Sequence, residues 1–224
     1  MPLLRRCLLT FWLLACSALA STAQAAGFNG LWTTSSGDYA LFLQDATSGS
    51  TFALQVPSTL DGLRVWLGTG SASALSLQGL VQPNDLLVAN VAGSAMNGSM
   101  TLGGVQQPFN ASLALAWVGT EYAGIWQKTS PANAYLVFCV LETGSGRIGL
   151  QIDVTLNADK TVSQQIFTGA LVGSQFTGVS ANGAGLTSRL AFNGSGGLTG
   201  TYTTLARPPQ ATSFNATQVV KTAP

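Results

Sequence analysis

The 224-residue sequence predicts an all-β protein built as two tandem antiparallel meander barrels of about eight strands each. Three observations carry this expectation. The first is an internal duplication. Phe28-Asn-Gly30-Leu-Trp32 opens one half and Tyr122-Ala-Gly124-Ile-Trp126 the other, while Phe109-Asn-Ala-Ser112 and Phe214-Asn-Ala-Thr217 close them. Trp126 lies 94 residues after Trp32 and Phe214 lies 105 after Phe109, so the copies have diverged by loop insertion. The second is two-residue alternation. Ile148, Leu150, Ile152 and Val154 share one face, with Arg147, Gly149, Gln151, Asp153 and Thr155 on the other; Phe52, Leu54 and Val56 oppose Thr51, Ala53 and Gln55 in the same way. This is the pattern of a strand with one face buried and one in water. The third is the spacing of turn signals. Asp61-Gly62, Pro83-Asn-Asp85, Asn97-Gly98, Gly144-Ser-Gly146, Asn157-Ala-Asp159, Asn182-Gly183 and Asn193-Gly194 punctuate the chain, and Asn-Gly and Asp-Gly permit the positive φ angles of tight hairpins.

In chain order, residues 1–25 read as an export signal. Arg5 and Arg6 form a positive start, an apolar run follows, and Ala23-Gln-Ala25 offers small residues for cleavage. Leu13-Leu-Ala-Cys16 also resembles the lipobox of bacterial lipoproteins, which makes lipidation of Cys16 the alternative outcome. Either way the expected location is outside the cytoplasm, periplasmic or extracellular, or lipid-anchored to the envelope through Cys16. The first β repeat is expected over residues 26–120, with strands centred near Trp32, Leu41, Leu54, Val65, Leu77, Val88, Thr101 and Leu113. The second is expected over 121–224, with centres near Trp126, Phe138, Leu150, Ile166, Thr177, Leu190, Tyr202 and Asn215. Eight short strands joined by hairpins suffice to close a small barrel and leave no free edge. A β-sandwich pair or one continuous sheet is the alternative architecture.

Composition excludes several classes. Charged residues make up 8% of the chain, with nine basic and eight acidic side chains and no basic cluster. Nucleic acids and anionic lipid surfaces both demand such a cluster. No histidine is present, which removes the usual general base, metal ligand and triad member together. Asp38, Asp61, Asp85 and Asp159 lie in Gly-, Asn-, Ser- or Pro-rich turn contexts, and Asp45, Glu121, Glu142 and Asp153 have no local pattern that pairs them for hydrolysis. The chain is therefore read as a non-enzyme, with no cofactor and no metal site. With residues 1–25 removed, Cys139 is the remaining cysteine. It lies in an apolar run and is expected to be a small buried hydrophobe. Asn97, Asn110, Asn193 and Asn215 open N-glycosylation patterns, read here as turns and strand ends.

Gly30-Leu-Trp32 and Gly124-Ile-Trp126 resemble the Gly-x-Trp opening of calycin barrels, the lipocalins and avidins, and Leu198-Thr-Gly-Thr-Tyr-Thr203 resembles an avidin-type strand. That resemblance implies an eight-stranded barrel with a small, mostly apolar ligand inside. It also implies an Arg packed on the motif Trp, for which Arg207 is a counterpart in the second half and the first half has none. Asp61-Gly-Leu-Arg64-Val-Trp66 is similar to a turn-then-Trp unit of exported bacterial β-repeat domains, a likeness that implies no activity. The ligand-binding candidates are Trp66, Arg64, Trp32 and Trp126: aromatic faces for an apolar molecule or a glycan, with Arg64 beside Trp66 on one strand face. The expected function is ligand binding without chemistry. The alternatives are an envelope structural or adhesive protein and an outer-membrane β-barrel.

Overall fold

The computed structural model describes residues 28–45, 48–58, 63–118, 120–143, 146–159, 161–181 and 184–221. Cys16, Asp61 and the segment 1–25 lie outside them. Sixteen strands follow one another. Those of the first half are β1 (Gly30–Thr34), β2 (Tyr39–Gln44), β3 (Ser50–Val56), β4 (Arg64–Gly70), β5 (Ala74–Gly79), β6 (Leu86–Ala92), β7 (Ala95–Leu102) and β8 (Val105–Val118). Those of the second are β9 (Gly124–Lys128), β10 (Ala134–Thr143), β11 (Gly146–Leu156), β12 (Val162–Val172), β13 (Gln175–Ser180), β14 (Leu186–Phe192), β15 (Gly197–Thr204) and β16 (Ala211–Lys221). Each strand holds one of the sixteen centres expected from sequence.

Every neighbouring pair is antiparallel. β1 closes on β8 and β9 closes on β16, so each half is a closed eight-stranded barrel. The two barrels are also hydrogen-bonded to each other, because Leu141 and Val140 of β10 pair with Trp117 and Val118 at the end of β8. Barrel and continuous sheet are thus both present.

Register makes the two barrels equivalent. Trp32 pairs with Ala40 and Trp126 with Leu136; Ala40 pairs with Gln55 and Leu136 with Asp153; Gln55 pairs with Arg64 and Asp153 with Gln165. At the far side Gly98 pairs with Phe109 and Gly200 with Phe214. The closing ladders carry the same irregularity: β8 skips Ala114 opposite Leu31 and Trp32, and β16 skips Val219 opposite Trp126 and Ile125. Each motif indole donates its Nε1–H to the carbonyl four residues earlier, Trp32 to Phe28 at 3.0 Å and Trp126 to Tyr122 at 3.1 Å. Close approach requires the glycine of the second motif, since a Cβ at Gly124 would run into the Val220 carbonyl oxygen. At Gly30 the nearest atom would be Leu113 Cδ1, the end of a side chain that can shift, with the Leu115 carbonyl oxygen 3.0 Å away.

Three apolar clusters result. Phe28, Trp32, Phe42, Trp66, Leu77 and Phe109 are among those that fill the first barrel. Trp126, Phe138, Phe167, Phe176, Phe192 and Leu198 fill much of the second. The third lies between the barrels and joins Leu41, Leu43, Phe52, Leu54 and Val65 to Ile125, Val137, Cys139, Ile152 and Val154. This corrects the reading of the alternating strands. On β3 and β11 the more apolar face points out of its own barrel, against the other barrel. The face expected to be wet points into the barrel, where Thr51, Ala53, Gln55, Gln151 and Asp153 are all buried. Away from that contact the outward positions are mixed: Thr69, Ser76, Gln78, Ser99 and Gln106 are polar, while Leu67, Leu86, Val88 and Val179 are apolar and exposed.

Candidate functional site

The placement of the four candidate residues divides them. Trp32 is 0% exposed, and Trp66 and Trp126 are each 1% exposed. Their rings are parts of the barrel cores and present no face to solvent, so the expected stacking platform is not formed by them. Alternation on β4 explains Trp66: it faces inward from a strand whose outward neighbours are Val65 and Leu67. Its indole nitrogen is buried without an acceptor. Arg64 shares that inward face but sits at the end of the strand, where the barrel opens. It is exposed and makes no hydrogen bond or ion pair among the described residues.

Arg64 borders two clefts. One, of about 320 Å³, runs between the barrels and is lined by Arg64, Trp66, Gln82, Asp85, Thr161 and Val162, among others. Sequence reasoning thus placed Arg64 and Trp66 beside one opening, although the Trp66 ring is packed beneath it. The other, of about 220 Å³, is the mouth of the first barrel, and Thr34, Asp38, Gln55, Arg64, Met100 and Asn110 are among the residues that line it. The β1–β2 turn builds one wall of this mouth. Thr34 and Ser36 hydroxyls lie 2.8 Å apart, and Ser36 Oγ donates to Asp38 Oδ2 at 3.2 Å. The same carboxylate accepts Gln55 Nε2 at 3.1 Å and the Ser58 amide at 3.0 Å. Gln55 is 3% exposed, and its Oε1 has no donor. An unpaired buried carbonyl costs on the order of 1–3 kcal/mol, so this oxygen marks a place where a donor is wanting.

The corresponding end of the second barrel is filled. Register places Lys128 where the first barrel has Thr34, Asp153 where it has Gln55, Gln151 for Ala53, Ser188 for Leu87 and Tyr202 for Met100. These five form one buried network. Lys128 Nζ donates to Tyr202 Oη at 2.8 Å and lies 3.5 Å from Asp153 Oδ1. Tyr202 Oη donates to Asp153 Oδ2 at 2.6 Å, Gln151 Nε2 donates to the same oxygen at 3.1 Å, and Ser188 Oγ donates to Gln151 Oε1 at 2.8 Å. The ammonium also sits 4.8 Å from the Tyr202 ring centroid and 4.5 Å from that of Phe214. Burial pushes the Asp153 carboxyl above the usual carboxylate range, against the pull of Lys128, Tyr202 and Gln151. Burial, followed by the Asp153 charge, pushes the Tyr202 phenol up as well.

Sequence reasoning missed this network. The signal that finds it is the duplication itself: Lys128 follows the motif Trp126 by two residues and so faces inward with it, at the position of Thr34. Among the described residues Asp38, Asp45, Asp85 and Asp159 brace turns and loops. Asp85 accepts the Gly103 amide at 2.8 Å, and Asp159 accepts the Thr161 amide at 3.0 Å and its hydroxyl at 2.6 Å, which holds its carboxyl below the ordinary range. Arg207 is exposed on the turn after β15. Cys139 is buried in the contact between barrels, and burial pushes its thiol up. Among the described residues no three His, Cys, Asp or Glu side chains converge as a metal site.

No family model, curated protein or solved structure matches the chain.

Proposed function

We propose that this chain is an exported, non-enzymatic binding module, and that its ligand is a small polar molecule held at the Arg64 end of the first barrel. The observation that supports this most is the difference between two equivalent barrel ends. One is occupied by its own Lys128, Asp153 and Tyr202. The other has Thr34, Gln55 and Met100 in those places, an unpaired Arg64 and an open volume of about 220 Å³. The apolar clusters inside both barrels favour a ligand at the rim over an apolar molecule in the interior. The volume falls below the roughly 300 Å³ at which ordinary small-molecule pockets begin, which favours a single compact group. Hydroxyls of a glycan terminus are one such group.

A thermal-shift screen tests this. Small polar molecules are expected to raise the melting temperature of the purified chain, and Arg64→Ala is expected to cancel the rise. Stoichiometric binding of an apolar dye, with no response to polar molecules, would count against it. A structural role in the envelope is the second reading, supported by the continuous apolar core that joins the barrels into one stiff unit. Export through residues 1–25, with cleavage after Ala25 or lipidation of Cys16, is read out by mass spectrometry of the native N-terminus.

A further inference from the structure

We infer that the mouth of the first barrel takes a small zwitterion, an ammonium and a carboxylate on one short molecule of the α-amino acid type. The inference rests on the binding reading above and names the chemistry of its ligand. The second barrel supplies the argument for the ammonium half. There the inward position after the motif Trp is Lys128, and its ammonium lies beside the acceptor oxygens of Tyr202 and Asp153, 2.8 and 3.5 Å away. In the first barrel the equivalent side chain is Thr34, too short to reach that place. The acceptors differ: Met100 stands for Tyr202 and the neutral Gln55 for Asp153. In their place the mouth offers the buried, unpaired Gln55 Oε1 and the Asp38 carboxylate, which accepts from Gln55 Nε2 at 3.1 Å. An N–H donor brought by a ligand meets the Asp38 carboxylate at the mouth, and reaches the enclosed Gln55 Oε1 once the Met100 side chain gives way.

The carboxylate half rests on Arg64. It is the direct cross-strand partner of Gln55, so the two side chains start about 5 Å apart. Arg64 lines the same mouth as Asp38 without pairing with it. A guanidinium matches a carboxylate with two parallel hydrogen bonds. In the second barrel its place is taken by the neutral Gln165. Ammonium and carboxylate separated by one carbon fit an acceptor and a guanidinium that spring from paired residues. Met100, unbranched and 6% exposed, is the part of the lining that can yield to admit the ligand.

The test is isothermal titration of the purified chain with L-alanine, with trimethylglycine, which keeps the carboxylate but has no N–H donor, and with glucose. L-alanine is expected to bind one to one and trimethylglycine at least about tenfold more weakly, since a charge-assisted hydrogen bond is lost. Arg64→Gln is expected to weaken L-alanine by a similar factor. Thr34→Lys is expected to abolish binding, because it gives the mouth the second barrel's own ammonium. Both substitutions copy residues that the second barrel already holds at these positions, and far-UV circular dichroism and melting temperature check that each variant is folded. If glucose binds and L-alanine does not, and Thr34→Lys blocks glucose, the ligand class is wrong while the site stands. If neither binds, the binding reading falls with it. If L-alanine binds but Thr34→Lys leaves it unchanged, the site is elsewhere and the inference is overturned.

Discussion

The buried pair in the second barrel allows a perturbation whose size follows from geometry. Lys128 and Asp153 are 8% and 6% exposed, and the ammonium lies 3.5 Å from Asp153 Oδ1. Removing one member of a buried pair strands the other, an effect of about 3–5 kcal/mol. Asp153→Gln leaves the ammonium with the Tyr202 oxygen and one amide oxygen, so a loss near the lower end, about 3 kcal/mol, is expected. Lys128→Thr leaves a carboxylate that still accepts from Tyr202 and Gln151, and a loss of about 2 kcal/mol is expected on the same grounds.

The double variant, Lys128→Thr with Asp153→Gln, reproduces the first barrel's Thr34 and Gln55 at the same register. No charge is then stranded, and a neutral pair replacing a buried ion pair is often close to neutral in stability. The double variant is expected within about 1 kcal/mol of the parent, which implies a coupling of about 4–6 kcal/mol, above the usual 0.5–3 for contacting residues because the two groups are buried and lie 3.5 Å apart. Urea unfolding at pH 7, with midpoints and slopes for all four proteins, measures this. Additivity of the two single effects within about 0.5 kcal/mol would refute the claim that this end of the barrel is held by one coupled network.

Four further outcomes are expected. Burial raises the folded pKa of Asp153 above its unfolded value of roughly 3.9, so the folded chain holds that proton more tightly. Its contribution is full below the unfolded value and is lost as pH rises through the folded value. The stability difference between the parent and Asp153→Asn should therefore shift in the parent's favour as pH falls from about 7 towards 4, as urea titrations at several pH values would show. Cys139 is fully buried with its thiol pushed up, and it should resist a disulfide-exchange reagent in the native state and react on unfolding. Trp66→Ala should destabilise the chain by about 3–5 kcal/mol instead of leaving it folded with a weakened site, as thermal unfolding would reveal. A single repeat expressed alone, residues 121–224, should aggregate or self-associate on a sizing column, because it would expose Ile125, Val137, Ile152 and Val154.

Much of the fold was legible because its signals are local. Gly-rich turns such as residues 193–197 separate strands, although Asn97-Gly98, expected as a turn, lies inside β7 and pairs with both neighbouring strands. Gly-x-Trp recurs at the start of each half, where β9 approaches β16 closely. The direction of each strand face was not legible. Alternation reports that two faces differ, and an apolar face can be covered from inside its own barrel or by the other barrel. On β3 and β11 the second case holds, which is why Gln55, Gln151 and Asp153 are buried where a wet face was expected. The site suffered from the same ambiguity. A Trp that plugs a core and a Trp that offers a ring to a ligand have the same sequence context, and only position along the barrel axis separates Trp66 from Arg64 two residues before it.

Comparison within the chain separates what the barrel needs from what its ends are used for. At six inward positions the two copies keep the same residue: Gly30 and Gly124, Trp32 and Trp126, Phe42 and Phe138, Gly98 and Gly200, Phe109 and Phe214, Ala111 and Ala216. Elsewhere the core exchanges one apolar residue for another, as Trp66 for Phe167 and Leu75 for Phe176. At one end they differ in charge and reach: Thr34 against Lys128, Gln55 against Asp153, Arg64 against Gln165, Met100 against Tyr202. Barrel closure does not demand these differences, since both ends close with the same ladder and the same bulge. The second barrel pairs most of its inward polar atoms with its own side chains, although Asp153 Oδ1 has the Lys128 ion pair at 3.5 Å and no hydrogen bond. The first leaves Gln55 Oε1 without a donor and the exposed Arg64 side chain without an acceptor, and these two groups are what the proposed zwitterion would pair with.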